Sequence, residues 1–247
     1  LINDDEALKI LSFSPDIIVH CAAQIPTGTV GDEECAQINR NIDENIFYVA
    51  QRCASKVVFL SSTAVYENCI VPWNESQSVS PQAWYAKQKR LSEIRFSELA
   101  VPSISLRITS PYGGWQNAER NVLYKFIHAA ISNQVLPVYG LGLRRQNFVF
   151  AGDIADLIAY IVSEIKKGLN ISGIFNVAGD SAISMRDIAT RIVQLSGKGE
   201  VVYVKGPVVD EQFEPHVDMT KTREILKWVP STQLADGVQN LIAELGG

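Results

Sequence analysis

The sequence offers little for metal or disulfide chemistry. Its 247 residues hold three histidines (His20, His128, His216) and four cysteines (Cys21, Cys35, Cys53, Cys69), with no C-x-x-C spacing. A zinc site is not expected, and scattered thiols fit a reducing cytoplasm better than a disulfide framework. No apolar run reaches the roughly 18 residues that a membrane-spanning helix needs, so no membrane partner is expected. Positive charge is not in excess: the formal net charge is -5, which argues against a general nucleic-acid or anionic-lipid surface. Internal repeats and low-complexity segments are missing as well. The remaining partners are a small-molecule substrate and copies of the chain itself.

A hydrophobic content of 47% with 20% charge is that of a globular protein able to bury a large core. Asp4-Asp5-Glu6 opens a short amphipathic helix that Ser14-Pro15-Asp16 ends. Ile17-Ile18-Val19 is a continuous apolar run, predicting a parallel strand buried on both faces, and small residues follow it at Cys21-Ala22-Ala23. Such residues let something flat approach the backbone, or let a helix pack tightly. Ile38 to Cys53 has helical spacing. Lys56 to Leu60 is the next strand and runs into Ser61-Ser62-Thr63, placing hydroxyls at a strand's carboxyl end, where ligands of open α/β sheets bind.

After a polar loop to Pro81, the stretch Trp84 to Leu99 predicts a helix and Ser103 to Ile108 a strand. This alternation implies right-handed crossovers and a parallel sheet. Ser110-Pro111-Tyr112-Gly113-Gly114 reads as a turn. Beyond it, Val122 to Ile131 is an amphipathic helix and Leu136 to Gly140 a proline-bearing edge segment. Phe148-Val149-Phe150 leads to Asp153, which is expected to cap a helix over Ile154 to Val162. Ile174 to Val177 and Val201 to Val204 are further strands. Ser184 with Asp187 starts a helix that Gly197 stops, and Thr222 to Trp228 and Leu234 to Leu245 close the chain. The domain reading is residues 1–110 as a sheet domain and 111–247 as mainly a smaller lobe, with elements around 145–165 returning to the first.

Tyr85 and Lys89 stand at i and i+4, so a phenol and an ammonium share one helix face, while Lys87 points away. A phenol acting as a base near neutral pH must lose roughly 3 units from about 10, or about 4 kcal/mol. A positive charge at about 4 Å supplies roughly that at an effective dielectric near 20. Lys89 is sufficient in principle.

With Ser62 placed beside this pair, the sequence resembles the extended short-chain dehydrogenase/reductase family, the NAD-dependent epimerase/dehydratase group. The resemblance runs over essentially the whole chain: Asp16 to Ala23, Ser61 to Tyr66, Tyr85 to Lys89 with Glu93, Leu106-Arg107 with Pro111-Tyr112-Gly113, Phe148 to Phe150 before Asp153, Asn176-Val177 before Gly179, and Asp218 with Trp228 and Pro230. It implies an α/β fold, a Rossmann-type doubly wound parallel sheet with a smaller C-terminal substrate lobe. It also implies NAD as cofactor, with NADP left open, a sugar or nucleotide-sugar-like substrate and a homodimer formed through the helices around Ile38 to Cys53 and Tyr85 to Leu99. Ser62 would bond the substrate oxygen, Tyr85 exchange its proton, and Lys89 bind the nicotinamide ribose and lower the Tyr85 pKa. Cofactor contacts fall on Cys21, Ala22, Ala23 and Asn41, then on Leu60 and Ser61, Tyr85 and Lys89, and Ile108 and Pro111. Substrate contacts fall on Ser62 and Thr63, Ser110, and Arg144, Arg145 and Gln146.

The departures are specific. The family's glycine-rich G-x-x-G-x-x-G turn is absent, and the chain's start matches a point well inside the family's domain, as expected of part of a longer protein or of a fragment that lacks dinucleotide binding. Gln146 stands for an arginine that nucleotide-sugar members use, and Val208, Asp210 and Glu211 occupy the neighbourhood of a second. Ser110 replaces an asparagine, Glu44 a glycine and Gln88 a serine. A diphosphate is best met by guanidinium groups, so two alternatives stand beside an epimerase or dehydratase: a reductase of a non-nucleotide carbonyl substrate, and a non-catalytic dinucleotide-binding sensor. Of the remaining residues, His20 reads as a packed histidine and Cys21 as core. Trp73, Trp84 and Trp115 flank the cleft or pack loops.

Overall fold

The computed structural model describes residues 4–25, 30–114, 121–206 and 210–246. They fall into two units. The first comprises Leu1–Ile108, Leu157–Val177 and Asp218–Lys227; the second comprises Thr109–Asp156, Ala178–Val217 and Trp228–Gly247.

The first unit follows from its apolar runs. Helix α1 (Asp4–Phe13) leads to β1 (Ile17–His20), α2 (Asp32–Cys53), β2 (Lys56–Ser62), a 3-10 turn (Thr63–Tyr66), α3 (Trp84–Ser97) and β3 (Ser103–Ile108). The sheet is parallel throughout, in the order β1-β2-β3-β7, with β7 at Gly173–Val177. Ile46, Phe47 and Ala50 of α2 and Phe96 of α3 pack on Val57 and Phe59 of β2. Both crossover helices therefore cover one face, as two successive right-handed crossovers require. The short helix α7 (Thr220–Ile225) is tied to β7, where Thr222 Oγ1 donates to the Asn176 carbonyl at 2.6 Å and Lys221 Nζ to the Ile174 carbonyl at 2.7 Å.

Two sequence expectations change here. Helix α2 begins at Asp32, six residues before Ile38, because its first buried positions are Cys35, Ala36 and Asn39, which hydropathy does not mark; Asp32, Glu33 and Glu34 meet the positive end of its dipole. Strand β1 is not buried on both faces. Val19 is 38% exposed, and among the described residues β1 pairs on one side alone, with β2.

The second unit is held by three helices over short strands. Helices α4 (Val122–Ile131), α6 (Met185–Ser196) and α8 (Leu234–Gly246) contribute Leu123, Phe126 and Ile127, Ile188 and Ile192, and Val238 and Leu241 to one apolar cluster. Strands β4 (Ser110–Tyr112), β6 (Arg145–Phe150) and β8 (Ala182–Ser184) form one sheet, and β5 (Val135–Tyr139) pairs in parallel with β9 (Glu200–Val204). Ser110 to Tyr112 is thus a strand and not a turn: at a sheet edge the missing proline N–H of Pro111 breaks no ladder. Ser184 caps α6 by accepting from the Asp187 N–H at 3.1 Å, and Gly197 ends it in the left-handed region, as the sequence predicts. Helix α5 (Ala151–Lys166) starts three residues earlier than expected. Asp153 does not cap it; the carboxylate accepts from the backbone and hydroxyls of Ser231 and Thr232 at 2.7–3.2 Å. Gly179 is sterically required: a Cβ there would stand 1.9 Å from the Phe148 carbonyl oxygen.

Candidate active site

Strand alternation sends successive side chains of β2 to opposite faces. Ser61 is buried and its hydroxyl donates to Glu93 Oε1 at 2.6 Å, while Ser62 is half-buried at the carboxyl end of the strand. Tyr85 lies in the first turn of α3, whose approach is anchored from the preceding loop: Glu67 Oε2 accepts the N–H groups of Gln82 and Ala83 at 2.6 and 2.8 Å. The Ser62 hydroxyl lies close enough to the Tyr85 phenol to favour its ionised form. Ser62 Oγ also accepts the Ala64 N–H at 3.1 Å, which fixes its direction.

One helical turn on, Lys89 is 5% exposed and donates to the Leu60 carbonyl at 2.8 Å. Its ammonium lies 4.6 Å from the centre of the Phe59 ring and 5.9 Å from that of Tyr85. Burial pulls the Lys89 pKa down, opposed by Asp43, Cys21 and Glu93. The Tyr85 phenol is pushed above its ordinary value by burial, against the opposing pull of the Ser62 hydroxyl. Lys89 is not among the groups that shift the Tyr85 phenol here; its ammonium donates to the Leu60 carbonyl.

Cys21 is an exposed free thiol and not core, since the chain leaves β1 at His20; Ala22 is exposed beside it. This stretch is braced by Asn39, whose side chain takes the Gln24 N–H at 2.5 Å and returns a donor to the Gln24 carbonyl at 2.9 Å. Asn41 is exposed and bonded within α2 by Gln37 at 3.1 Å. Ile108 pairs with Ser62 in the sheet and its carbonyl accepts from Thr63 Oγ1 at 3.3 Å. Trp73 is buried and stacks on Tyr66 at 5.4 Å, so it packs the loop. Trp84 is exposed, and Trp115 and Val208 lie outside the described residues.

Behind the surface sit polar nodes that sequence reading missed or left without a role. His20 is indeed packed, 3% exposed, with Nε2 2.6 Å from Asp43 Oδ1. Glu93 receives Arg107 through two bonds of 2.8 and 2.7 Å; burial opposes the guanidinium charge, but the carboxylate outweighs it and raises the Arg107 pKa. Asn176 accepts from the Tyr66 hydroxyl at 2.8 Å and donates to the carbonyls of Trp73 and Asp218. Asp43 and Glu67 carried one available signal: each is a carboxylate beside an element that also bears a site residue.

In the second unit, Gln146 Nε2 bonds Ser110 Oγ. Arg145 pairs with Glu214 at 3.0 Å and Arg144 lies 4.8 Å over the Phe213 ring. Glu211 accepts the N–H groups of Leu141 and Leu143 at 2.7 and 2.9 Å. Pro111 is exposed on β4.

The family model described as the NAD dependent epimerase/dehydratase family matches residues 1–178. The chain belongs to that family. Relatives include the uncharacterized UDP-glucose epimerase YtcB of Bacillus subtilis, 24% identical over 76% of this chain and 60% of that protein, and the UDP-glucose 4-epimerase of Mycolicibacterium smegmatis, 24% identical over 98% and 80%. The chain thus spans less than two thirds of the first relative's length. The crystal structure of the Thermotoga maritima UDP-glucose 4-epimerase with UDP-glucose matches the fold with a TM-score of 0.86 at 20% identity, over 98% of this chain and 81% of that one. The family fold is therefore that of the α/β parallel sheet described above. Among the described residues no helix is long and apolar enough to cross a membrane, and no group of three or more His, Cys, Asp or Glu side chains is placed to hold a metal ion.

Proposed function

We propose that the protein is a nicotinamide-dependent epimerase or dehydratase of nucleotide sugars, with Tyr85 as proton carrier, Ser62 as donor to the substrate oxygen and Lys89 as the cofactor ribose ligand. The observation that carries this reading is the Ser62–Tyr85 hydroxyl pair at the carboxyl end of β2, one helical turn from a buried ammonium. Relatives named as UDP-glucose epimerases and dTDP-glucose dehydratases support the substrate class. Family neighbours crystallised with NAD support the cofactor.

The residues fit the nicotinamide-ribose half of such a cofactor. An ammonium has three N–H donors and the Leu60 carbonyl takes one, so Lys89 retains donors for vicinal hydroxyls. Ala22 and the partly exposed Ala23 leave the backbone after β1 open to a flat ring. When bound, the nicotinamide supplies the hydride acceptor and donor. The chain's own work is on the proton. Ser62 holds the substrate oxygen, and Tyr85 takes its proton as the alcohol becomes a carbonyl, then returns it. Only the phenolate can take that proton, and with its pKa raised Tyr85 is mostly the neutral phenol at pH 7, so the minor phenolate form starts the oxidising half of the cycle. The alcohol-oxidising rate rises with pH as the phenolate fraction grows.

In the full protein, Tyr85→Phe should lower turnover of UDP- or dTDP-sugars about 10²–10⁴-fold. Retention of the wild-type rate would remove the assignment. A second reading, a reductase of a non-nucleotide carbonyl, is favoured by the engagement of Arg145 with Glu214 and of Gln146 with Ser110. Net bleaching of the reduced nicotinamide absorbance during turnover identifies it, because an epimerase recycles its cofactor. The proposed homodimer packs through α2 and α3, where Tyr48, Leu91 and Ile94 are exposed; a monomer mass in sedimentation velocity would exclude it. The free thiols accord with a cytoplasmic location.

A further inference from the structure

Lys89 poses an electrostatic problem that its hydrogen bond does not solve. A charge that is 5% exposed needs a compensating charge, and the neutral Leu60 carbonyl provides none. The groups facing the ammonium are Tyr85 and Glu93 from its own helix, Cys21 after β1 and Asp43 from α2. Glu93 is already committed to Arg107, with Ser61 at 2.6 Å and Arg90 at 3.2 Å on the same carboxylate. The Cys21 thiol and Tyr85 phenol belong to residues that keep some surface, yet both are pushed up by partial desolvation, so neither is an anion at neutral pH.

Asp43 is different. It is 3% exposed and accepts from His20 Nε2 on β1 at 2.6 Å, from Gln88 Nε2 and from the Ser92 hydroxyl. The last two flank Lys89 on α3, one residue before it and three after. Gln88 is the family's departure from serine beside the lysine, and its longer amide reaches the α2 carboxylate. Its donors also go to Ser92 Oγ at 3.0 Å, so the Asp43 carboxylate, Gln88 and Ser92 form one buried cluster, tied to α3 on both sides of Lys89 in the chain, and its charge acts on the ammonium.

We propose that Asp43 is a positioning residue for the Ser62–Tyr85–Lys89 site: its carboxylate is the buried counter-charge that keeps Lys89 an ammonium, while Gln88 and Ser92 lock α3 against it. The inference rests on the reading of Lys89 as part of that site, but its test does not require turnover. Isotope-labelled lysine side chains are titrated by NMR in the full protein without substrate, with the Lys89 signal assigned by its loss in Lys89→Met. In Asp43→Asn the Lys89 midpoint moves to lower pH; in Asp43→Glu it stays near wild type. Glu44→Gln, which removes an exposed neighbouring carboxylate, leaves it unchanged. An unmoved midpoint in a natively melting Asp43→Asn overturns the proposal. Should that variant not fold, the coupling is read from the other side: Lys89→Met, already made for the assignment, must move the NMR midpoint of the isotope-labelled Asp43 carboxyl to higher pH, and an unmoved Asp43 midpoint overturns the counter-charge role. A loss of activity in Tyr85→Phe with no effect of Asp43 on the titration would leave the proposed function standing and this inference broken.

Discussion

In the first unit the decisive charges lie inside. Glu93 and Arg107 are both almost fully buried and joined by two short bonds, with Ser61 on the same carboxylate, and Asp43 gathers His20, Gln88 and Ser92. In the second unit the interior cluster over α4, α6 and α8 is apolar, and Arg145 meets Glu214 at the surface, with 37% and 60% of the side chains exposed. An interior ion pair tolerates few substitutes, because removing one partner strands the other in a poor solvent. A surface pair can be exchanged at little cost. The residues proposed to handle the proton are thus set in a buried polar framework, whereas the residues read as substrate anchors sit among replaceable contacts.

The sharpest way to break this contrast is to remove a partner from each region. Glu93→Ala leaves the Arg107 guanidinium buried without its carboxylate and should lower unfolding free energy by about 3–5 kcal/mol in urea titrations. Ser110→Ala, which deletes the neutral partner of Gln146, should lower it by about 1 kcal/mol. Equal losses would show that the two regions are stabilised alike.

The same contrast explains what could be read in advance. Strands β1, β2 and β3 and helix α3 were legible because apolar runs and helical spacing mark them, and Ser62, Tyr85 and Lys89 are brought to one end of β2. Strand β4 was not, since three residues centred on a proline carry no periodic signal. The first six residues of α2 were missed because its buried face there is only Cys35 and Ala36, too little for a helical period. Spacing placed Tyr85 and Lys89 on one face but could not say where a four-carbon stem would deliver its ammonium, and it delivers it to Leu60. Nor could spacing give Cys21 its exposure, or Asp43 its bonds to Gln88 and Ser92, since both depend on how the end of β1 and α2 meet α3.

A smaller effect asks whether the site also depends on a carboxylate outside this buried framework. The backbone N–H groups of Ala83 and Gln82 hold the Glu67 carboxyl below its ordinary pKa. A group with a depressed folded-state pKa contributes stability that is present above its unfolded pKa and is lost as pH falls through the folded one. Glu67→Gln should therefore cost about 0.5 kcal/mol at pH 7, the scale of a carboxylate near a helix N-terminus. The gap between wild type and variant should begin to close near the unfolded value of about 4.3 and vanish below the depressed folded value. Urea midpoints measured from pH 7 to pH 3 give the comparison. A gap that stays constant across that range would mean that the Glu67 charge does not hold the start of α3, and that Tyr85 is placed by the interior contacts of the first unit alone.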